Sequence, residues 1–155
     1  MTDALWEITH SVETNASPAF AWNYWTDVAN WDDLPAKFEL YGPFASRSRG
    51  ITRLPGQEPL QWFIRELTPP NAATIEMQLE GATLSFEWRF EGLADGRTRL
   101  TQRVVLKCDN ADVYVSQVKV AFTANLPDGM NKLAAAMTNA HSRREGIAAK
   151  FQLGK

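Results

Sequence analysis

The feature that most constrains the fold is a helical stretch near the end of the sequence, from Pro127 to about Ala149. One face of this stretch is spaced at three- and four-residue intervals, as in an amphipathic helix; its members are Met130, Leu133, Ala134, Met137, Ala140 and His141. Pro127 suits the first turn of a helix, where its missing N–H is not needed. A helix of about 20 residues is about 30 Å long. Such a helix cannot bury its apolar face alone, so the rest of the chain must supply a partner surface.

Alternating apolar and polar residues predict strands that can supply this surface. The predicted strands are residues 6–13, 38–41, 50–54, 60–67, 73–79, 84–90 and 98–107, and glycine, proline and Asp-Gly turn signals separate several of them. Successive strands joined by short turns predict an antiparallel sheet with one covered face and one exposed face.

Three helical segments complete the prediction. The first begins at Pro18 with Ser17 as its N-cap, and a second short helix covers about residues 27–34. Residues 111–126 fit helical spacing, although their β-branched residues also suit a strand. We predict a helix there that leads into the last one, with a kink or break near Pro127.

Composition limits the classes of protein to which the chain can belong. Its 155 residues predict one domain over residues 1–155, and a net charge of -2 with no block of five like charges predicts no nucleic-acid partner. No apolar run reaches the roughly 20 residues that span a bilayer, and no signal peptide is visible, so we expect a soluble cytoplasmic protein without membrane insertion. Two histidines and the single Cys108 predict no metal site and no cofactor. A monomer and a homodimer both remain open.

The order of these elements resembles the START-like superfamily, and more narrowly its polyketide cyclase/dehydrase (SRPBCC) group. The motifs that carry the resemblance are residues 15–22 (NASPAFAW), Trp31-Asp32, residues 66–70 (ELTPP), residues 96–101 (GRTRLT), and Gly129-Met130 with Leu133. The resemblance covers nearly the whole chain. It implies an α+β helix-grip fold, in which a curved antiparallel sheet wraps a long C-terminal helix and a cavity lies between them. It implies no catalytic residue, because this group has no universal catalytic motif.

The covered sheet face and the last helix supply the candidates for a cavity lining. They are His10, Trp62, Ile64, Ile75, Met77, Phe86, Trp88, Phe90, Gln102, Met130, Leu133 and Met137. Trp62 and Ile64 are the less certain members, because Phe63 and Leu67 on the other face of the same strand are also apolar. Methionine adapts to varied ligand shapes, which favours a pocket. A filled hydrophobic core is the alternative for most of these positions.

Polar residues on this face could carry chemistry. His10 could act as a general acid or base, or hydrogen-bond a ligand carbonyl, but a satisfied core or sheet-edge histidine is the interpretation we favour. Gln102 could orient a ligand or pair locally. Glu66 is expected to be exposed at a strand end, and His141 to lie at the surface or cap the last helix. Arg47, Arg49 and Arg53 could guide an acidic ligand to the mouth of the cavity, but a solvated loop is the interpretation we favour for them.

Three functions are compatible with these observations. The first is the binding of a small hydrophobic or aromatic molecule, lipid- or polyketide-like, in the internal cavity. The second is a polyketide cyclase or dehydratase in which His10 or Gln102 polarises a carbonyl or moves a proton, while the cavity positions the substrate. The third is a protein-interaction or chaperone-regulator module with a filled interior. We rank them in this order, and whether the chain is an enzyme stays open.

Overall fold

The structure is a computed structural model that describes residues 4–31, 36–79, 81–108 and 115–153. Its elements are, in chain order, β1 (Ala4–Thr14), α1 (Pro18–Trp25), a 3-10 turn (Val28–Asn30), β2 (Lys37–Tyr41), β3 (Arg49–Arg53), β4 (Leu60–Thr68), β5 (Ala72–Leu79), β6 (Ala82–Gly92), β7 (Thr98–Cys108) and α2 (Val115–Leu153).

The seven strands form one antiparallel sheet in the order β1-β7-β6-β5-β4-β3-β2. Strands β2 to β7 follow one another as a meander, and β1 joins the far side by pairing with β7. Each predicted strand is present with its bounds moved by at most two residues. Together with the long terminal helix, this sheet confirms the helix-grip fold.

The long helix differs from its prediction at its N-terminal end. We expected one helix over residues 111–126 and another from Pro127, with a kink or break between them. The helix before Pro127 is present from Val115, but α2 is assigned as one helix that contains Pro127. Its buried residues recur on both sides of the proline, and they are Val118, Leu126, Met130, Ala134 and Met137. Burial of this continuous apolar face offsets the hydrogen bond that proline cannot donate. None of the described helices is both long and apolar enough to cross a bilayer.

The segment between β1 and β2 contains both predicted helices, but the second is shorter than expected. Ser17 caps α1 as predicted, because its Oγ accepts a hydrogen bond from the Phe20 N–H at 3.3 Å. The second helix is only the turn Val28–Asn30, since Trp31 is already extended and its indole N–H donates to the Trp25 carbonyl at 2.6 Å. Residues 32–35 lie outside the described residues.

Helix α2 lies on one face of the sheet and packs mainly along β1. Thr14, at the end of β1, fixes its position: the buried hydroxyl donates to the Ala134 carbonyl at 3.0 Å and lies 3.0 Å from the Thr138 hydroxyl. Helix α1 covers the same sheet face near β6. Both helices therefore cover the same face of the sheet on the side of β1, β7 and β6, and they touch each other where the Phe20 and His141 rings meet.

Candidate functional site

Cross-strand pairing places the predicted lining residues on one face of the sheet, called here the inner face. The pairs are Trp62 with Met77, Ile64 with Ile75, Ile75 with Phe86, Trp88 with Gln102, Phe90 with Leu100, and Gln102 with His10. Directly paired residues project to the same side of a sheet. Helix α2 lies over this side, because the rings of Phe86 and Phe122 meet with centroids 5.8 Å apart.

A β-bulge in β4 decides which of its residues face inward. Trp62 and Ile64 are buried on the inner face, but the register shifts between Ile64 and Glu66. After the shift, Leu67 pairs with Ala73, another inner-face residue, and packs against the core. Our expectation that Leu67 shares the outer face of β4 was wrong, because one extra residue reverses the alternation beyond it. Glu66 is exposed, as expected.

One end of the inner face is filled by aromatic side chains. Trp25 of α1 lies at the centre, with ring centroids 5.4 Å from Phe90, 5.1 Å from Phe44 and 5.1 Å from Trp88. Trp22 packs on Phe90 at 5.3 Å. Phe90 is 1% exposed, so at this end the candidate lining forms hydrophobic core.

The other part of the inner face is less completely covered. Of the candidate lining residues, His10, Met77, Phe86, Trp88 and Leu133 are only half-buried. Trp6 and Ile8 of β1 and Phe122 of α2 are half-buried beside them. Met130 and Met137 of α2 are buried. The inner face thus has a filled end under α1 and a partly open apolar region beside α2.

Three polar side chains form a row across this region. Gln102 of β7 is paired with His10 of β1 on one side and with Trp88 of β6 on the other. Gln102 is 7% exposed, yet its amide has no hydrogen-bond partner among the described residues, and the ring nitrogens of His10 and Trp88 have none either. Because no fully enclosed side-chain nitrogen or oxygen of the described residues lacks a partner, these polar atoms must border space that water can reach. All three residues were predicted from the sequence to lie on the covered face, but only the strand register shows that they are neighbours.

One further expectation concerns His141, at the edge of this site. His141 does not cap a helix end, because α2 continues to Leu153. It is half-buried and meets the Phe20 ring edge-on at 5.0 Å, so it belongs to the contact between α1 and α2.

The outer face of the sheet is polar and carries most of the ion pairs. Arg53 pairs with Glu39 at 3.3 Å. A hydrogen bond from Arg65 to the Glu76 carboxylate, 2.7 Å long, raises the pKa of Arg65 above its ordinary value. Arg49 borders an outer depression of about 420 Å³. Arg47, Arg49 and Arg53 are all exposed, as expected of solvated residues, but Arg49 and Arg53 lie on β3 and not in a loop.

Trp6 and Ile8, which were not predicted as lining residues, also border the partly open region, whereas Trp25, which was not predicted either, belongs to the filled end. Trp6 and Ile8 share the alternation of His10, and that alternation was a sufficient signal for including them. Trp25 comes from α1, and no sequence pattern ties its ring to Trp88 on β6. Within the described ranges, no three metal-ligating side chains lie close enough together to hold an ion.

Comparison with known proteins identifies a family. The family model described as polyketide cyclase/dehydrase and lipid transport matches residues 6–138. No curated protein sequence matches the chain.

Solved structures share the fold at low sequence identity. Norcoclaurine synthase from Thalictrum flavum, in complex with dopamine and hydroxybenzaldehyde, has a TM-score of 0.68 at 14% identity, covering 90% of this chain and 89% of that chain. Protein NE0264 from Nitrosomonas europaea has a TM-score of 0.69 at 11% identity, with coverages of 90% and 99%. DynU16, from the dynemicin biosynthetic locus, has a TM-score of 0.63 at 15% identity, with coverages of 87% and 48%. At these identities the likeness shows the fold.

Proposed function

The chain belongs to the polyketide cyclase/dehydrase and lipid transport family, and on this basis we propose that it binds a small apolar or aromatic molecule between the inner face of its sheet and α2. The observation that carries the proposal is the partly open apolar region beside α2. In a sheet gripping a helix with no ligand space, inner-face residues such as Met77 and Phe86 would be expected to be as buried as Phe90.

The chemistry of this region suits such a ligand. Small-molecule sites are concave and mostly apolar, with a few polar groups that fix orientation. Met77, Phe86 and Leu133 supply apolar surface, and Met77 can adapt its shape to different ligands. A structural neighbour holds dopamine and hydroxybenzaldehyde, two small aromatic molecules, which is the size class proposed here.

Thermal-shift measurements on matched variants test the proposal. The ligands are a fatty acid, a sterol and an anthraquinone. At a free concentration 100 times the dissociation constant, a ligand stabilises the folded state by about 2.7 kcal/mol, which raises the melting temperature by roughly 5–10 °C for a domain of this size. Met77→Trp should fill the region and weaken this shift. Gln61→Trp, which adds the same bulk at an exposed outer-face position of β4, should leave it unchanged.

Two results would count against ligand binding. One is a ligand set that leaves the melting temperature of the unmodified protein unchanged. The other is a shift that Met77→Trp and Gln61→Trp reduce equally, because the molecule would then not occupy the inner region. Native mass spectrometry of freshly purified protein supplies a second, independent readout, since a bound molecule would appear as added mass.

A second candidate function is a cyclase or dehydratase acting in the same region, and the row of His10, Gln102 and Trp88 favours it. A carbonyl beside this row could be polarised by a hydrogen bond from Gln102, while His10 takes up or delivers a proton. Positioning of the folded substrate by the apolar walls would supply most of the rate enhancement. If His10→Ala and Gln102→Ala both left the turnover of a poly-β-keto substrate unchanged, this mechanism would be wrong.

A further inference from the structure

We propose that the molecule bound in this region carries a neutral oxygen, as a phenol, alcohol or ketone does, and that this oxygen hydrogen-bonds to the row of His10, Gln102 and Trp88. The inference rests on the proposed function and narrows its ligand class. The proposed ligand class includes oxygenated aromatic and alicyclic molecules. It excludes plain hydrocarbons and lipids that would bring a charged group to this region.

Gln102 differs from every other buried polar residue in the described part of the chain. The buried polar residues are Thr14, Thr52, Glu76, Ser85, Thr98 and Gln102. Each of the first five hydrogen-bonds to another protein group. Buried polar groups are normally paired, because an unpaired one costs free energy on folding. Gln102 therefore offers a donor and an acceptor that the described protein groups leave unused.

The geometry of the row allows one ligand group to reach more than one of its members. Directly paired residues in antiparallel strands have Cβ atoms about 4.5–5.5 Å apart. His10, Gln102 and Trp88 occupy consecutive positions on β1, β7 and β6. The Gln102 amide and the Trp88 indole supply N–H donors, and the Gln102 oxygen and a neutral His10 supply acceptors. A carbonyl can accept from this set, and a hydroxyl can both donate and accept.

The surroundings of the row favour a neutral oxygen over a charged group. On the four strands β1, β5, β6 and β7, none of the other described side chains that share the row's face is charged. Two of them are polar, and their hydroxyls already bond to backbone: Thr14 to the Ala134 carbonyl and Thr98 to the Ala16 carbonyl. The rest are apolar, and they are Trp6, Ile8, Val12, Ala82, Leu84, Phe86, Phe90, Leu100, Val104, Leu106, Ala73, Ile75, Met77 and Leu79. The charged side chains of these strands belong to the outer face, where Arg103 pairs with Glu7 and Glu87. A carboxylate or ammonium group placed at the row would be desolvated without a counter-ion from the sheet.

The test compares naphthalene with a naphthol, because the two differ only by one hydroxyl. Dissociation constants are measured by tryptophan fluorescence for the unmodified protein and four variants. Gln102→Met keeps the side-chain length and removes both polar atoms, Trp88→Phe removes the N–H, and His10→Phe keeps a ring. Gln61→Met makes the same glutamine-to-methionine change at an exposed position on the outer face and serves as the control. Melting curves establish that each variant is folded.

The expected result is a preference for the naphthol that depends on the row. Naphthol should bind about three- to tenfold more tightly than naphthalene, the range that one neutral hydrogen bond supplies. Gln102→Met should remove most of this preference without lowering the melting temperature, because no protein partner loses a hydrogen bond. Gln61→Met should retain the full preference. A smaller preference for naphthol in Trp88→Phe or in His10→Phe shows that the replaced side chain also hydrogen-bonds to the ligand oxygen.

Other outcomes overturn the inference in distinguishable ways. If naphthalene binds the unmodified protein at least as tightly as the naphthol does, the proposed hydrogen bond to the row is wrong, while the proposed apolar binding region is supported. If the preference survives all three row variants, the oxygen binds elsewhere. If neither molecule binds at saturation, the inference is wrong, and the thermal-shift measurements with the fatty acid, the sterol and the anthraquinone decide separately whether the proposed apolar binding holds.

Discussion

Replacing Gly50 with alanine is expected to destabilise the protein through a single contact. Gly50 of β3 is paired with Trp62 of β4, and the indole ring lies across the glycine. A Cβ added at Gly50 would lie 2.7 Å from Cε2 of Trp62 and still closer to two other ring carbons. Contacts this short essentially never occur, so either the ring or the strand must move.

The ring cannot move without losing other interactions. Trp62 is 4% exposed, its indole N–H donates to the Thr52 hydroxyl at 3.1 Å, and its ring lies 5.4 Å from that of Trp31. Overpacking costs about 1–3 kcal/mol, and a lost neutral hydrogen bond adds about 1 kcal/mol. Replacing glycine by alanine also restricts the unfolded chain, which adds at most about 1 kcal/mol to the free energy of unfolding. The net destabilisation is about 1–3 kcal/mol, or a melting temperature lower by about 2–12 °C.

The same substitution at Gly129 provides the control. Gly129 lies inside α2 with no atom within 4 Å of an added Cβ, so Gly129→Ala should stabilise the helix by about 0.5–1 kcal/mol. Thermal and urea unfolding followed by circular dichroism measure both variants. In a Trp62→Phe background, Gly50→Ala should cost less, because the shorter ring relieves the clash. A Gly50→Ala protein that melts at or above the temperature of the unmodified protein would refute the reasoning.

Two further predictions concern α2. Thr14→Val should destabilise the protein by about 1–3 kcal/mol, because the hydroxyl that bonds the Ala134 carbonyl is buried and its partners would lose a hydrogen bond; a urea midpoint equal to that of the unmodified protein would contradict this. Pro127→Ala should raise the melting temperature, because it restores an N–H inside the helix, where proline costs up to about 3 kcal/mol. A lower melting temperature would mean that the proline is needed for the packing of α2.

The sheet was predictable from the alternation of apolar and polar residues along each strand. On β1, Trp6, Ile8, His10 and Val12 share one face because the pleat has a period of two. The cap at Ser17 was also predictable, since its hydroxyl satisfies a backbone N–H only at a helix start. These are local rules that depend on a few neighbouring residues.

Features that depend on tertiary contacts were not predictable in the same way. The bulge before Glu66 places Leu67 on the inner face of the sheet instead of the outer face, and no residue in β4 indicates this bulge. Helix α2 continues through Pro127 because the sheet buries its apolar face on both sides of the proline. The division of the inner face into filled and open parts depends on where Trp25 of α1 lies.

The candidate site combines both kinds of information. Alternation placed His10, Trp88 and Gln102 on covered faces of three separate strands. Their adjacency required the antiparallel register of β1, β7 and β6. The absence of a hydrogen-bond partner for the Gln102 amide within the described ranges is a property of the packed structure alone.

The most direct test of the central claim uses the methionine methyl groups, since the chain has only four methionines. Met77 lies on the inner face of β5, and Met130 and Met137 are buried on α2. With isotope-labelled methionine methyls and saturating naphthol, we predict nuclear Overhauser contacts from the ligand to Met77 and to at least one of the two helix methionines. Saturated binding that leaves these three methyl signals unshifted and without ligand contacts would contradict the account.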